Sequence, residues 1–397
     1  MTVDGKRPAP GGDAPSPPSA AATDLRPPGP ASRRAPQHQS MRLLLRGEGL
    51  PELERIEALR EAACGLMRVD SIATVKAGDR SLPILACRLG ADDVTRPALA
   101  LFAGVHGIER IGTHVVLSWL ESLVERLRWD KESRRVLRKS RVIAVPVVNP
   151  GGMWMRRRSN PNGVDLMRNS PVDADVRTPF LVGGHRYTRL LPWYRGDPGE
   201  MEPETRAIAA LVDRELFPAQ ASIVLDVHSG FGRVDRIWYP YAKTTRPLPS
   251  LAQVSALTDL FDRTYPYHPY RVEAQHESYT THGDLWDYLY DLQRARHPER
   301  IFLPFTLEIG SWQWVRKDLR QLFAAGGVFN PLEPHRYHRA LRRHGVLLDF
   351  LLRAARNHRR WSGIAPPQAA APESREKSSM NPLSALELET TAKGGSG

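Results

Sequence analysis

Two hydrophobic rhythms alternate along the chain. Short unbroken apolar runs at Ala98–Phe102, Val142–Val148, Ser222–Val227 and Phe305–Ile309 have the length and side-chain content of strands buried on both faces. Between the first two lies Ile111–Trp129, where Val115, Val116, Trp119, Leu120, Leu123, Val124 and Leu127 make the apolar stripe of an amphipathic helix. Glu202-Pro203-Glu204 opens a second helix through about Leu216, with proline and acids in its first turn. A third, about Arg336–Arg356, carries Leu341, Leu347, Leu348, Leu351 and Leu352. Ser71–Val75 and Leu82–Cys87 form a strand pair around Gly78-Asp79. Strands alternating with helices predict an α/β fold whose mostly parallel sheet is covered on both faces.

Composition limits where this fold lies. Residues 1–40 hold nine of the 34 prolines, and outside alanine their only apolar side chains are Met1, Val3 and Leu25. Such a segment cannot offset its ordering entropy by burial and is expected to be disordered. The Ala/Pro/Ser-rich stretch 363–397 is expected to be a second tail, leaving 41–362 as the folded domain. No apolar run approaches the ~20 residues of a membrane span, and none near the N-terminus resembles a secretory signal. Cys64 and Cys87 are too few for a disulfide framework, so a reduced, cytoplasmic protein is expected.

The net charge of +12 rests on 56 Lys+Arg, of which only eight are lysine, against 44 Asp+Glu. No nucleic-acid-binding motif accompanies it, and the arginine runs at 134–141, 336–343 and 353–360 read as outward charges on amphipathic helices. A non-catalytic basic binding protein is therefore the weakest reading. The excess reads mostly as compositional bias, which would also attract carboxylate-bearing substrates.

Chemistry concentrates at strand ends, where open α/β sheets place their sites. After Ala98–Phe102 comes His106-Gly107-Ile108-Glu109; after Ser222–Val227 comes His228; within Phe305–Ile309 sits Glu308 among apolar residues. Two histidines, a carboxylate ligand and a further carboxylate are what hydrolytic zinc requires: three protein ligands, an open position and a proton acceptor. A His-x-x-Glu pair alone carries little weight, since one arises by chance about once in a chain of this composition. On this evidence both histidines could equally be hydrogen-bonded residues at strand ends.

The segment Asn149-Pro150-Gly151-Gly152 through Arg158-Ser159-Asn160-Pro161-Asn162-Gly163-Val164-Asp165-Leu166-Met167-Arg168-Asn169 resembles the corresponding block of the zinc metallocarboxypeptidases of the pancreatic carboxypeptidase type. The remaining motifs follow in that family's order: His106-x-x-Glu109, the block itself, Glu202-Pro203-Glu204-Thr205, His228-Ser229, Tyr279 with Asp287 eight residues on, and Thr306-Leu307-Glu308. The resemblance implies a three-layer α/β/α fold with a mixed, mostly parallel twisted central sheet and a zinc site at the carboxyl ends of its strands. It implies one Zn²⁺ per chain bound by His106, Glu109 and His228, with Glu308 as general base. It also implies that Arg158 polarises the scissile carbonyl, that Arg168 grips the terminal carboxylate of a peptide or small amide substrate, that Tyr279 closes over it, and that Asp165 orients the first zinc histidine.

The pattern departs from the family at Met167, where an asparagine is usual; a thioether cannot donate to a carboxylate. That keeps open an amidohydrolase of the aspartoacylase or succinylglutamate desuccinylase type, acting on N-acyl amino acids. Arg156-Arg157-Arg158 could also be a solvated basic turn, or Arg157 the functional member. Tyr279 could be a structural tyrosine. Asp284 or Trp286 could shape the specificity pocket.

Overall fold

The computed structural model describes residues 50–324 and 326–363, together with Met1 and Thr2. The expectations for segments 1–40 and 363–397 fall outside these residues, apart from Met1, Thr2 and Gly363.

In chain order the elements are α1 (Pro51–Ala62), β1 (Met67–Ala77), β2 (Arg80–Gly90), β3 (Ala98–Ala103), α2 (Arg110–Trp129), α3 (Lys131–Leu137), β4 (Arg141–Val145), α4 (Pro150–Trp154), α5 (Pro203–Glu215), β5 (Ala221–Ser229), β6 (Arg236–Tyr239), α6 (Leu251–Thr264), β7 (Arg271–Ala274), α7 (Gln275–Ser278), α8 (Leu285–Arg296), β8 (Ile301–Ile309), α9 (Trp312–Lys317) and α10 (Pro334–Arg356). The sheet runs β1-β2-β4-β3-β5-β8-β6-β7. Its centre, β4-β3-β5-β8, is parallel, whereas β1/β2, β2/β4 and β6/β8 pair antiparallel. The fold is thus the mixed, mostly parallel α/β sheet expected.

Burial explains the unbroken apolar runs. Every residue of β3, β4 and β5 is buried, because α2, α6 and α10 cover one face and α5 and α8 the other. The stripe on α2 is buried as predicted, each large aliphatic side chain contributing about 1.5–3 kcal/mol. The run Val142–Val148 stops as a strand at Val145, since Pro146 has no N–H for the ladder. Beyond it the chain follows the end of β3 instead, Val148 N donating to Ala103 O at 3.0 Å and Asn149 N to Gly104 O at 2.9 Å.

One arginine expected outside is inside. Arg141 on β4 is buried, donating to the Glu215 backbone carbonyl at 2.7 Å and pairing with the Glu215 carboxylate. Cys64 is an exposed free thiol and Cys87 a buried one. Among the described residues no helix is long and apolar enough to cross a membrane.

Candidate metal centre

The sheet order makes β3, β5 and β8 neighbours, so the residues at their carboxyl ends meet. His228 on β5 is in register with Glu308 on β8, and the loop after β3 delivers His106 and Glu109, the latter at the N-cap of α2. Backbone packing holds that loop. A Cβ on Gly107 would lie 2.1 Å from the Gly152 backbone, so Gly107 is needed for these two chain segments to touch directly. Asn149 locks the contact, its Oδ1 accepting from Gly152 N at 2.7 Å and its Nδ2 donating to Val105 O at 3.1 Å.

The block that follows is an ordered loop rather than an extended basic surface. Asn160 Oδ1 accepts from the backbone N–H groups of Asn162 and Val164, and Asn160 and Asn162 both donate to Glu202, at 2.8 and 2.7 Å. Glu202 N donates in turn to Asn169 Oδ1 at 2.6 Å. The Glu202-Pro203-Glu204 motif therefore opens α5 and staples this loop. Of the three consecutive arginines, Arg156 and Arg157 are exposed, and only Arg158 turns inward. Its Nε donates to Asp165 at 2.9 Å and its Nη1 to Glu109 at 3.3 Å.

The three candidate ligands converge. His106 Nδ1 lies 2.8 Å from Glu109 Oε1, His228 Nδ1 lies 3.1 Å from Glu109 Oε2, and the two Nδ1 atoms are 3.2 Å apart. Ligand atoms from His106, Glu109 and His228 all lie within 4.8 Å of one another. On their outer sides the imidazoles face carboxylates. His106 Nε2 is 3.1 Å from Asp165 Oδ1; His228 Nε2 is 3.1 Å from Asp226 Oδ2, off the line of an ideal hydrogen bond. A proton on each Nε2 leaves each Nδ1 lone pair aimed at the shared centre.

Electrostatics favour a cation there. Burial works against charge on Glu109, but His106 and His228 outweigh it and hold the carboxyl below its usual range. Asp165 lies well below its usual value because Arg158 and His106 overcome its burial, and those carboxylates keep Arg158 charged despite burial. For His228, burial is outweighed by Asp226 and Glu109, raising its pKa well above that of an ordinary histidine. Three buried carboxylates, Glu109, Asp165 and Asp226, surround the centre against the cations Arg158 and Arg168, a net negative charge that favours a cation. Two nitrogens and a carboxylate are also a donor set that zinc accepts.

Glu308 differs from its neighbours. Its Oε2 is buried and unpartnered, and its pKa is pushed up to about 8, chiefly by burial, with Glu109 and Asp226 adding to the rise against His228 and Arg158. Arg168, in the short 3₁₀ turn Leu166–Arg168, is buried, and its guanidinium makes long contacts to the Val182 and Met167 carbonyls, 3.3 and 3.4 Å, and interacts with the Tyr279 phenol. It forms no ion pair with a carboxylate among the described residues. The guanidinium carbon is 5.9 Å from the ring of Tyr279, a residue just past α7 that packs on Phe231 and edge-on against Trp238. Burial, reinforced by Glu308, raises the Tyr279 phenol pKa. Gly283 fixes this side of the site at φ +67°, its backbone so close to Arg168 O that a Cβ would lie 1.9 Å away.

The two pocket candidates are placed apart from each other. Trp286 is core: its indole N–H donates to Asp226 at 2.9 Å and its ring lies 5.1 Å from that of Phe102. Asp284 caps α8 through Oδ1, while its Oδ2 is buried without a partner. Met167 is buried in the hydrophobic core. Asp226 is a site residue that reading the sequence missed. Its signal was present as Asp226-Val227-His228, two polar side chains on one strand face.

A family model for zinc carboxypeptidases (Peptidase_M14) matches residues 53–313, more than half of the 397-residue chain. Carboxypeptidase E of Caenorhabditis elegans is 30% identical over 128 residues, 29% of this chain and 27% of the worm protein. Mast cell carboxypeptidase A of Rattus norvegicus is 25% identical over 232 residues, 53% of each. The chain thus spans about half or less of the length of these curated relatives. Among solved structures, carboxypeptidase A from Helicoverpa armigera aligns with a TM-score of 0.58 at 17% identity, covering 81% of this chain and 80% of that one, a likeness of fold. With its motifs in order, its sheet of the same kind and two thirds of its length matched by the family model, the chain belongs to the zinc carboxypeptidase family.

Proposed function

We propose that this chain is a zinc-dependent hydrolase that removes a C-terminal residue from a peptide or peptide-like amide bearing a free carboxylate. His106 and His228, through Nδ1, and the Glu109 carboxylate would hold one Zn²⁺. Zinc bound there supplies a Lewis acid that acidifies water and polarises a carbonyl. Glu308 accepts a proton from the attacking water at its unpartnered Oε2 and returns it to the departing nitrogen. Burial raises its pKa and a bound dication would lower it, opposing influences that suit a group that both takes and gives a proton. Arg158, fixed by Asp165 and Glu109, offers positive charge where oxyanion charge develops. Tyr279 stands beside Arg168 to cover the substrate terminus.

The observation that carries the exopeptidase reading is Arg168: a buried cation beside the metal centre that makes no direct ion pair with a carboxylate among the described residues, Asp165 and Asp284 acting on it only at longer range. A buried charge without a counter-ion is costly, and a substrate carboxylate supplies one. Arg168→Met is expected to lower kcat/KM on a peptide with a free C-terminus by about 10- to 100-fold, the range of one charge-assisted hydrogen bond. The matched amidated peptide, already a poor substrate, should be unaffected. Equal turnover of free and amidated peptides by the unaltered chain would reject exopeptidase action, and including N-acyl amino acids tests the deacylase alternative in the same assay.

Asp226 is assigned the role at His228 that Asp165 fills at His106. Asp226→Asn is expected to weaken zinc binding by about 10- to 100-fold, read by competition with a chromophoric chelator. An unchanged affinity would mean that β5 and Glu109 orient His228 without it.

A further inference from the structure

The arginine run 336–343, which reads in the sequence as outward charge, contributes instead to the lining of a cavity of about 100 Å³. That volume is well above the ~10–15 Å³ a single ordered water needs. Ile309 contributes to its wall. As the strand neighbour of Glu308, Ile309 points to the other side of the sheet, so the cavity is separate from the metal centre. Lys317 comes from the last turn of α9, and His335, Arg336, Arg339 and Arg343 from the first half of α10.

Compensation for these cations is incomplete. Asp235 is the one carboxylate in the lining. It is already committed, accepting from Gly310 N at 3.0 Å and pairing with Arg343 at 2.7 Å. Nearby Asp318 is held by both sides of the Arg320 guanidinium, each at 2.9 Å. Arg336 donates only to neutral oxygens, Trp314 O and Gln321 Oε1. The side chains of Lys317, His335 and Arg339, which are exposed to solvent at the cavity, make no hydrogen bond or ion pair among the described residues. The start of α10 also faces this side: its first turn carries no acid, and the N-cap Glu333 makes no capping hydrogen bond. The positive end of the helix dipole therefore lies with the cations, where an anion is favoured.

We propose that this cavity binds a small phosphate-bearing anion, its phosphate seated among Lys317, Arg336 and Arg339. Guanidinium groups and an ammonium around a concave site match several phosphate oxygens at once, and Arg343 remains with Asp235. None of these residues belongs to the catalytic arrangement, so this site and the hydrolytic reading stand or fall separately.

The test is calorimetric titration of the zinc-loaded full chain with inorganic phosphate and, separately, glycerol phosphate, at about 150 mM salt. Saturable binding of one anion per chain is expected, and the tighter of the two ligands identifies the free ion or a phosphomonoester as the better match. Lys317→Ala and Arg339→Ala should each weaken binding by about tenfold. Arg316→Ala, which removes an exposed charge from the same helix outside the cavity, should leave binding unchanged. Absence of saturable binding, equal loss in Arg316→Ala, or binding that survives the Lys317/Arg339 double substitution would each overturn the proposal, the last placing the anion outside this cavity.

Discussion

Glu308→Gln is expected to keep zinc and fold and to lose about 10²–10⁴-fold in turnover, the usual contribution of a general base, the role proposed for Glu308. The amide has the shape of the carboxyl and cannot accept the proton. Its burial makes this a clean substitution. Where the surroundings already push the carboxyl toward its neutral form, up to about 8, a neutral isostere costs the fold little. Metal content should stay at one per chain, because Glu308 faces the centre from β8 and is not among the three converging ligands. Turnover measured under single-turnover conditions, beside metal analysis of the same sample, checks both halves. A variant that retains full turnover removes Glu308 from the mechanism.

His106→Ala and His228→Ala are expected to purify with close to no zinc and background activity. Each removes one of three donors and leaves the other imidazole opposite a buried Glu109. A site that keeps only two protein ligands loses most of its binding free energy. His114 provides the control, since it is a buried histidine of α2 outside the ring, bonded to Tyr337 at 2.7 Å and to Glu52 at 3.1 Å. His114→Ala should lower the melting temperature yet purify with its metal. Zinc retained at one per chain in His228→Ala would displace the site from this ring, and zinc lost in His114→Ala as well would show that metal loss reports only damage to the fold.

The central strands could be read from the chain because two-sided burial demands unbroken apolar runs, and α2 because one-sided burial demands a stripe. The last two strands of the sheet, β6 and β7, could not, being only four residues each and carrying no periodicity long enough to recognise. Helices α6 and α8 went unread for a different reason. At α8, Asp284 and Trp286 look like pocket residues in the sequence, but the fold uses them as a helix cap and a core ring, and neighbouring Asp287 clamps the backbone N–H groups of Ala242 and Lys243.

What the sequence determined by itself was the set of chemical parts and their order: His106 and Glu109 after one buried strand, His228 on another, Glu308 on a third, and a loop carrying Arg158, Asp165 and Arg168. Those choices are local, since each follows from a residue type placed where a strand ends. Which of three adjacent arginines turns inward, that Asp226 stands behind His228, and that the basic face of α10 meets Lys317 across a cavity were decided only by tertiary structure. The reason is geometric: adjacency of β3, β5 and β8 joins His106 to His228 and His228 to Glu308, 122 and 80 positions apart, and no local pattern records which strand lies beside which.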